Sequence, residues 1–188
     1  MNQFVQDAIR TESRPTHLQG FTVNQLQVLL ATLVAASKLA DTCKRAIFYG
    51  KPLDLEKARD EVEVLRNAAM DFELDLGCYE VPDASKTLVN LRLLHGAIGV
   101  FGEAGELLEA LQKQLSGETL DLVNIAEETG DIDWYQAIIE DETGVSEEDT
   151  RAKVIAKLRK RYPNKFDSDL AVNRDLGAER AAIEGASA

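Results

Sequence analysis

The sequence predicts an all-α fold, an antiparallel helical bundle, and three observations lead there. Apolar residues recur at helical spacing over long segments, and no segment sustains the alternation of a half-buried strand. The four prolines, Pro15, Pro52, Pro82 and Pro163, fall between those segments. The connections are short, so helices that follow each other in sequence should pack antiparallel.

Taken in order, a short helix is expected over 2–11. A long one is expected over 22–49, ended by Gly50-Lys51-Pro52. Another follows over 54–76, with Asp54 as N-cap and Gly77 as its stop. Asp83 or Ser85 should open a helix reaching about residue 115, closed by Gly117. The next covers 119–142 and ends before Gly144. Ser146, with Glu148 and Asp149 in the first turn, starts a helix that stops before Pro163. A last helix is expected within 168–184, followed by a frayed tail. The expected organisation is one all-α domain over 1–188. Within it, 1–20 form an N-terminal arm, 22–162 the bundle core with 54–76 as an appended helix, and 163–188 a C-terminal extension.

Composition excludes several classes. The 188 residues carry 45% hydrophobic side chains, enough for a core. A net charge of −12 argues against broad binding to nucleic acid or anionic membranes. No apolar run approaches the roughly 20 residues that span a bilayer, so no membrane partner is expected. Cys43 and Cys78 are too few for a disulfide framework, which fits a reducing cytoplasm. His17 and His95 are far apart and do not suggest a histidine metal site. There is no G-x-x-x-x-G-K-[ST] loop and no G-x-S-x-G elbow.

The chemistry concentrates in two neighbouring helices. On 119–142, Val123, Ile125, Ile132, Trp134, Tyr135, Ile138 and Ile139 share one broad arc. Glu128, Asp131 and Asn124 project inside that arc. Carboxylates placed there need cations or strong donors. A structural network with Lys or Arg and a metal site explain this helix alone equally well. The preceding helix adds Glu103, Glu106 and Glu109 at spacing three, beside the apolar face of Val100, Ala104, Leu107 and Leu111. One E-x-x-E is the usual solvated edge. E-x-x-E followed by E-x-x-D on an antiparallel neighbour can bring four carboxylates together. Oxygen-only donors of this kind suit Mg²⁺ or Mn²⁺. Gly96, Gly99, Gly102 and Gly105 cost helix stability, so they point to a close backbone approach or a local break. Trp134 reads as core rather than as a base platform, and His95 as a packing residue.

Between Arg151 and Lys165 stand seven cations and no acid. Most belong to a solvated helix face, and Lys157 and Arg161 are the candidates for a phosphate. Lys44, Arg45 and Lys51 surround Phe48 and Tyr49 at the end of the first long helix. They offer a phosphate contact or an aromatic base platform, or simply complement the helix dipole.

Gly102-Glu103-Ala104-Gly105-Glu106, followed by Glu127-Glu128-Thr129-Gly130-Asp131 and Trp134-Tyr135, resembles the MazG-like all-α nucleoside triphosphate pyrophosphohydrolases. Their pattern is E-x-x-E, a spacer, then E-x-x-D, and 21 residues separate Glu106 from Glu128 here. The segments RTESRP, IFYGKP, KLRKRYPNKF and AVNRDLGAER look like the phage-type and bacterial branch. The resemblance implies an oligomeric bundle, a homodimer or homotetramer. It implies Mg²⁺-dependent hydrolysis of a (d)NTP to (d)NMP and pyrophosphate, with Mn²⁺ as a substitute ion. It implies that Glu103, Glu106, Glu128 and Asp131 hold the metal and that Glu109 or Glu127 positions the attacking water. Lys157 and Arg161 are then set against the charge of the leaving pyrophosphate, with Lys44, Lys51 and Tyr49 as further substrate contacts. Val154 departs from the pattern, since relatives often carry Asn there.

The expected function is nucleotide-pool control in the cytoplasm, or in a host cytoplasm if the gene is a phage's. Within the same fold, a pyrophosphatase for dUTP or phosphoribosyl-ATP is the alternative. A non-catalytic helical partner-binding protein is a second, and metal binding separates it from the enzyme. A nucleic-acid binder using 151–165 would show a steep salt dependence and is opposed by the acidic remainder.

Overall fold

A computed structural model describes residues 2–18, 20–77 and 89–185, and within them eight helices and no strand. The helices are α1 (Gln3–Ala8), α2 (Val23–Tyr49), α3 (Leu55–Leu76), α4 (Leu91–Leu115), α5 (Leu122–Thr143), α6 (Glu147–Arg161), α7 (Ser168–Val172) and α8 (Leu176–Gly185). The all-α expectation holds. The chain divides into two compact units, Met1–Thr16 with Leu88–Val154, and His17–Thr87 with Ile155–Ala186.

Local signals fix most helix ends. Thr22 caps α2 by accepting from the Gln25 amide, and the Gln25 side chain returns to the Thr22 amide, a reciprocal capping box. Gly50 ends α2 in the left-handed region, φ 66°, as the sequence led one to expect. Asp54 caps α3 through the Lys57 amide. Asp121 caps α5, and Gly144 closes it at φ 67°.

Two expectations need correction. Asp83 and Ser85 lie outside the described residues, but α4 does not run back towards them, because Asn90 is extended and caps it. Its side chain accepts from the Arg92 and Leu93 amides. The single helix expected within 168–184 is two, broken at Asn173, where the backbone leaves the helical region. By length and composition α2, 27 residues long, passes the test for a helix that could cross a bilayer, a test that the apolar core helix of a bundle passes as well.

In the first unit, α4 and α5 lie antiparallel. Asn90 bonds to Glu142, Gly96 lies under Ile139, Gly99 under Tyr135, and Glu103 beside Glu128, so rising numbers meet falling ones. The glycines expected to mark close approach divide into two pairs. A Cβ on Gly96 would come within 2.5 Å of Ile139 Cγ1, and one on Gly99 would enter the Tyr135 ring. Gly102 and Gly105 face open space. Two glycines therefore set the crossing of the helices, one turn before the acidic residues begin. α1 closes the other side of α5, with Val5 and Ala8 on Ala137 and Trp134. Ile138 is fully buried. Val123, expected in the apolar arc, is 78% exposed in the first turn of α5.

In the second unit, α2 and α3 form an antiparallel hairpin. Gln25 Nε2 donates to the Asp75 carbonyl at 3.1 Å, and Thr42 Oγ1 donates to Glu61 Oε1 at 3.0 Å. The end of α6 is tied to α8 by Glu179, a buried carboxylate. It accepts forked contacts from Arg161 at 2.7–2.8 Å and from Arg174 at 2.6–3.2 Å.

Candidate functional site

The antiparallel register of α4 and α5 brings the two acidic motifs face to face. Spacing i, i+3 puts Glu103 and Glu106 on one side of α4, one turn apart. α5 brings Glu128 against them. One carboxylate oxygen from each of Glu103, Glu106 and Glu128 lies within 4.8 Å of the others. Glu128 is buried, Glu103 half-buried and Glu106 exposed, so the group is open to solvent on one side.

Asn124, one turn before Glu128, donates to Glu128 Oε1 at 2.5 Å. That bond fixes the rotamer of the deepest carboxylate. Burial pushes the Glu103 carboxyl above the ordinary range. Its hydrogen bond to Glu128, and the charges of Glu106, Asp131 and Glu128, push it the same way. Burial also raises the Tyr135 hydroxyl, and the charges of Glu103 and Asp131 add to the effect. Asp131 is thus close enough to act on both neighbours, although it is exposed and outside the tight trio. Among the described residues, none of these four carboxylates forms an ion pair with a Lys or Arg.

Like charges held this close, partly out of water, repel unless a cation joins them. The donors are all hard oxygens, the set that Mg²⁺ or Mn²⁺ takes, and one side stays open for a phosphate or water. Glu103, Glu106 and Glu128, with Asp131 at the rim, therefore fit a divalent cation.

The two candidate water-positioning residues differ. Glu109 is exposed and its carboxylate is bound by Lys113 at 2.8 Å, which lowers its pKa. Glu127 is exposed on α5, next to Glu128.

The candidate substrate residues all belong to the second unit. Lys157 is half-buried on α6. The Arg161 guanidinium is held by Glu179, which raises its pKa, and lies 5.6 Å from the Tyr162 ring centroid. Lys44 pairs with Asp41 at 2.7 Å. Tyr49 packs on Phe166 at 5.7 Å between centroids, and Lys51 is exposed beyond the end of α2.

Residues 97–166 match the family model of the MazG nucleotide pyrophosphohydrolase domain. This segment resembles a MazG domain. It holds both acidic motifs and ends at Phe166, so α1, α2, α3, α7 and α8 lie outside it. The match is to the family as a whole and assigns no branch. It sets the general activity class, nucleotide pyrophosphohydrolysis. The comparisons with curated proteins and with solved structures return no match.

Sequence reasoning placed the carboxylates but missed their supports. Asn124 had been read only as a polar residue in an apolar arc, and its spacing of four before Glu128 was the available signal. The ring of Tyr135 seats on Gly99, and the glycine spacing hinted at that contact without naming its partner. Trp134 is half-buried, as expected of a core residue, and its Nε1 donates to Thr11 Oγ1 at 3.0 Å. His95 packs edge-on to both Trp134 and Tyr135.

Proposed function

We propose that the chain is a Mg²⁺-dependent nucleoside triphosphate pyrophosphohydrolase, converting (d)NTP and water to (d)NMP and pyrophosphate. The carrying observation is the convergence of Glu103, Glu106 and Glu128, with no Lys or Arg paired to them among the described residues, inside the segment that matches the MazG family model. In this reading these three and Asp131 hold the metal. When bound, the ion supplies positive charge to phosphate oxygens and lowers the pKa of a water. Asn124 holds the Glu128 carboxylate in place, so the donor set needs little rearrangement on binding.

Glu127 is our assignment for positioning the attacking water, because the Glu109 carboxylate is taken by Lys113. Lys157 offers charge for a pyrophosphate leaving group, and Lys44, Lys51 and Tyr49 offer further cations and an aromatic face. Those assignments rest on side-chain chemistry. Arg161 serves first as the partner of Glu179. The assembly is a homo-oligomer, and the role is nucleotide-pool control in a cytoplasm, a host's if the gene is a phage's.

The test is a panel of ribo- and deoxyribonucleoside triphosphates with Mg²⁺, and again with Mn²⁺, read by chromatography. Monophosphate with intact pyrophosphate, lost in Glu106→Gln, is the expected result and ranks the bases. Diphosphate with orthophosphate would mean cleavage at the terminal bond and would overturn the reading. So would an absence of turnover across the panel.

A further inference from the structure

The second unit carries an aromatic and cationic surface that the metal chemistry leaves unexplained. Tyr49, at the end of α2, packs on Phe166 at 5.7 Å between ring centroids, and Phe166 packs on Tyr162, just past α6, at 5.5 Å. The rings are tilted by 41° and 45°, so they do not cover one another's faces. Phe166 is 52% exposed although it is held from both sides. An apolar ring gripped by two neighbours and still half in water is a fixed platform, not core. Each ring of the row has an exposed lysine within two residues in sequence: Lys51 for Tyr49, Lys160 for Tyr162 and Lys165 for Phe166. Among the described residues, none of these three lysines pairs with an acid. The neighbouring acids are taken: Asp41 by Lys44 and Arg45, Glu179 by Arg161 and Arg174, and Asp167 by the two amides it caps in α7.

Net charge opposes nucleic acid only for the chain as a whole. The second unit holds 15 Lys and Arg against 16 Asp and Glu, a balance of −1, so the first unit carries −11 of the total −12. Within 155–166 there are five cations and no acid. Exposed aromatic faces take bases, and lysines spaced among them take the phosphates that link the bases. We propose that the row Tyr49–Phe166–Tyr162, with Lys51, Lys160 and Lys165, binds single-stranded nucleic acid. The cations are spread along the row, one to a ring, which matches a line of singly charged phosphates better than one compact polyphosphate. A duplex fits poorly, because its bases are stacked on each other and offer no face to Phe166. The surface needs no metal and does not rest on the carboxylates of α4 and α5. Lys51 and Tyr49, offered above to a nucleotide, meet the same base and phosphate chemistry in a strand.

The full chain tests this by fluorescence anisotropy in EDTA, with a labelled oligothymidylate of about 12 nucleotides and circular dichroism as the check on folding. Binding should weaken with salt, and log K against log salt concentration should have a slope of about −2, the value for three phosphates on a single strand. Lys160→Ala and Lys165→Ala should each make that slope shallower by about 0.7. Phe166→Ala should weaken binding about tenfold and leave the slope unchanged, and Phe166→Trp should restore it. The same sequence paired with its complement should bind at least about tenfold more weakly. Glu106→Gln, which should abolish turnover, should bind the strand as wild type does, so failure here and failure of the proposed reaction are told apart. No binding at low salt overturns the inference. So does a duplex bound as tightly as the strand, a slope indifferent to both lysines, Phe166→Trp as weak as Phe166→Ala, or loss of binding in Glu106→Gln. Displacement of the strand by thymidine triphosphate at an equal concentration of bases overturns it too, since that would mark a site for single nucleotides.

Discussion

The two ends of the α4–α5 pair solve the same electrostatic problem in opposite ways. At one end Arg92 collects Glu12 at 2.7 Å, Asp141 at 2.7 Å and Glu142 at 2.9 Å. Glu12 and Glu142 are held below the ordinary carboxylate range, mainly by the Arg92 guanidinium for Glu12 and by the Asn90 and Arg92 donors for Glu142. At the other end Glu103, Glu106 and Glu128 converge, and the Glu103 carboxyl is pushed up. The same helices can thus hold an arginine among acids, and at the second end no Lys or Arg pairs with the acids among the described residues. A cluster left unbalanced in this way is suited to an external cation. In the proposed reading, α4–α5 is structural where Arg92 stands and functional where Glu103 begins.

The largest effect should come from neutralising the unbalanced end. Glu106→Gln, Glu128→Gln and Asp131→Asn should each lower turnover by about 10³-fold, by removing a donor from the metal set. In metal-free buffer the same variants should melt no lower than wild type, because each removes a repelling charge. Kinetics and calorimetry on the same samples check both halves. A variant that loses activity by unfolding would break the comparison, since the cluster would then be structural.

The next effect belongs to the balanced end. Arg92→Met leaves Glu12, whose side chain is fully buried, without its main partner. Breaking a buried ion pair from one side should cost about 3 kcal/mol, read by urea unfolding. Activity per folded molecule should stay near wild type. If it fell as far as in Glu106→Gln, the two ends would not be separate in role.

The carboxylates of both motifs were legible in the sequence because spacing three on a helix fixes a face, and short connections fix antiparallel neighbours. Their meeting followed from those two rules. Arg92 was not legible. Its partners lie 80 and about 50 positions away, and local periodicity carries no information at that range. The same limit hid the Glu179 knot, where Arg161 is taken up by a carboxylate 18 residues later. Arg161 had been a phosphate candidate because a local run of cations shows charge and not its partners. The break at Asn173 sits beside Arg174, which reaches the same Glu179.

The ends should also respond oppositely to pH. A carboxyl raised in the folded state, as Glu103 is, contributes stability below its unfolded value. That contribution is lost as pH rises through the folded pKa. A carboxyl lowered in the folded state, as Glu12 is, contributes stability above its unfolded value and loses it as pH falls through the folded pKa. Starting from the ordinary value of 4.5 and going up, the metal-free protein should therefore lose stability at the cluster while the Arg92 end stays constant. Mg²⁺ should cancel that loss. The melting temperature with Mg²⁺ minus that in EDTA should be near zero at about pH 5 and reach a few degrees by about pH 8. Parallel curves would mean that no cation enters the cluster.

The smallest expected effect separates two acids at the rim. Glu109 and Glu127 are both exposed and both adjoin the motifs, but among the described residues only Glu109 has a protein cation, Lys113 at 2.8 Å. Balance distinguished the two ends of the helix pair, and it should distinguish these residues too. Glu127→Gln should lower kcat by about 10² and leave KM nearly unchanged, as expected for a base that acts on water and not on binding. Glu109→Gln should change either constant by less than about threefold, the scale of an exposed i, i+4 pair. The reverse order would show that Lys113 releases Glu109 when substrate arrives. The water-positioning role would then pass to α4, and Lys113→Met should raise the activity of the free enzyme rather than lower it.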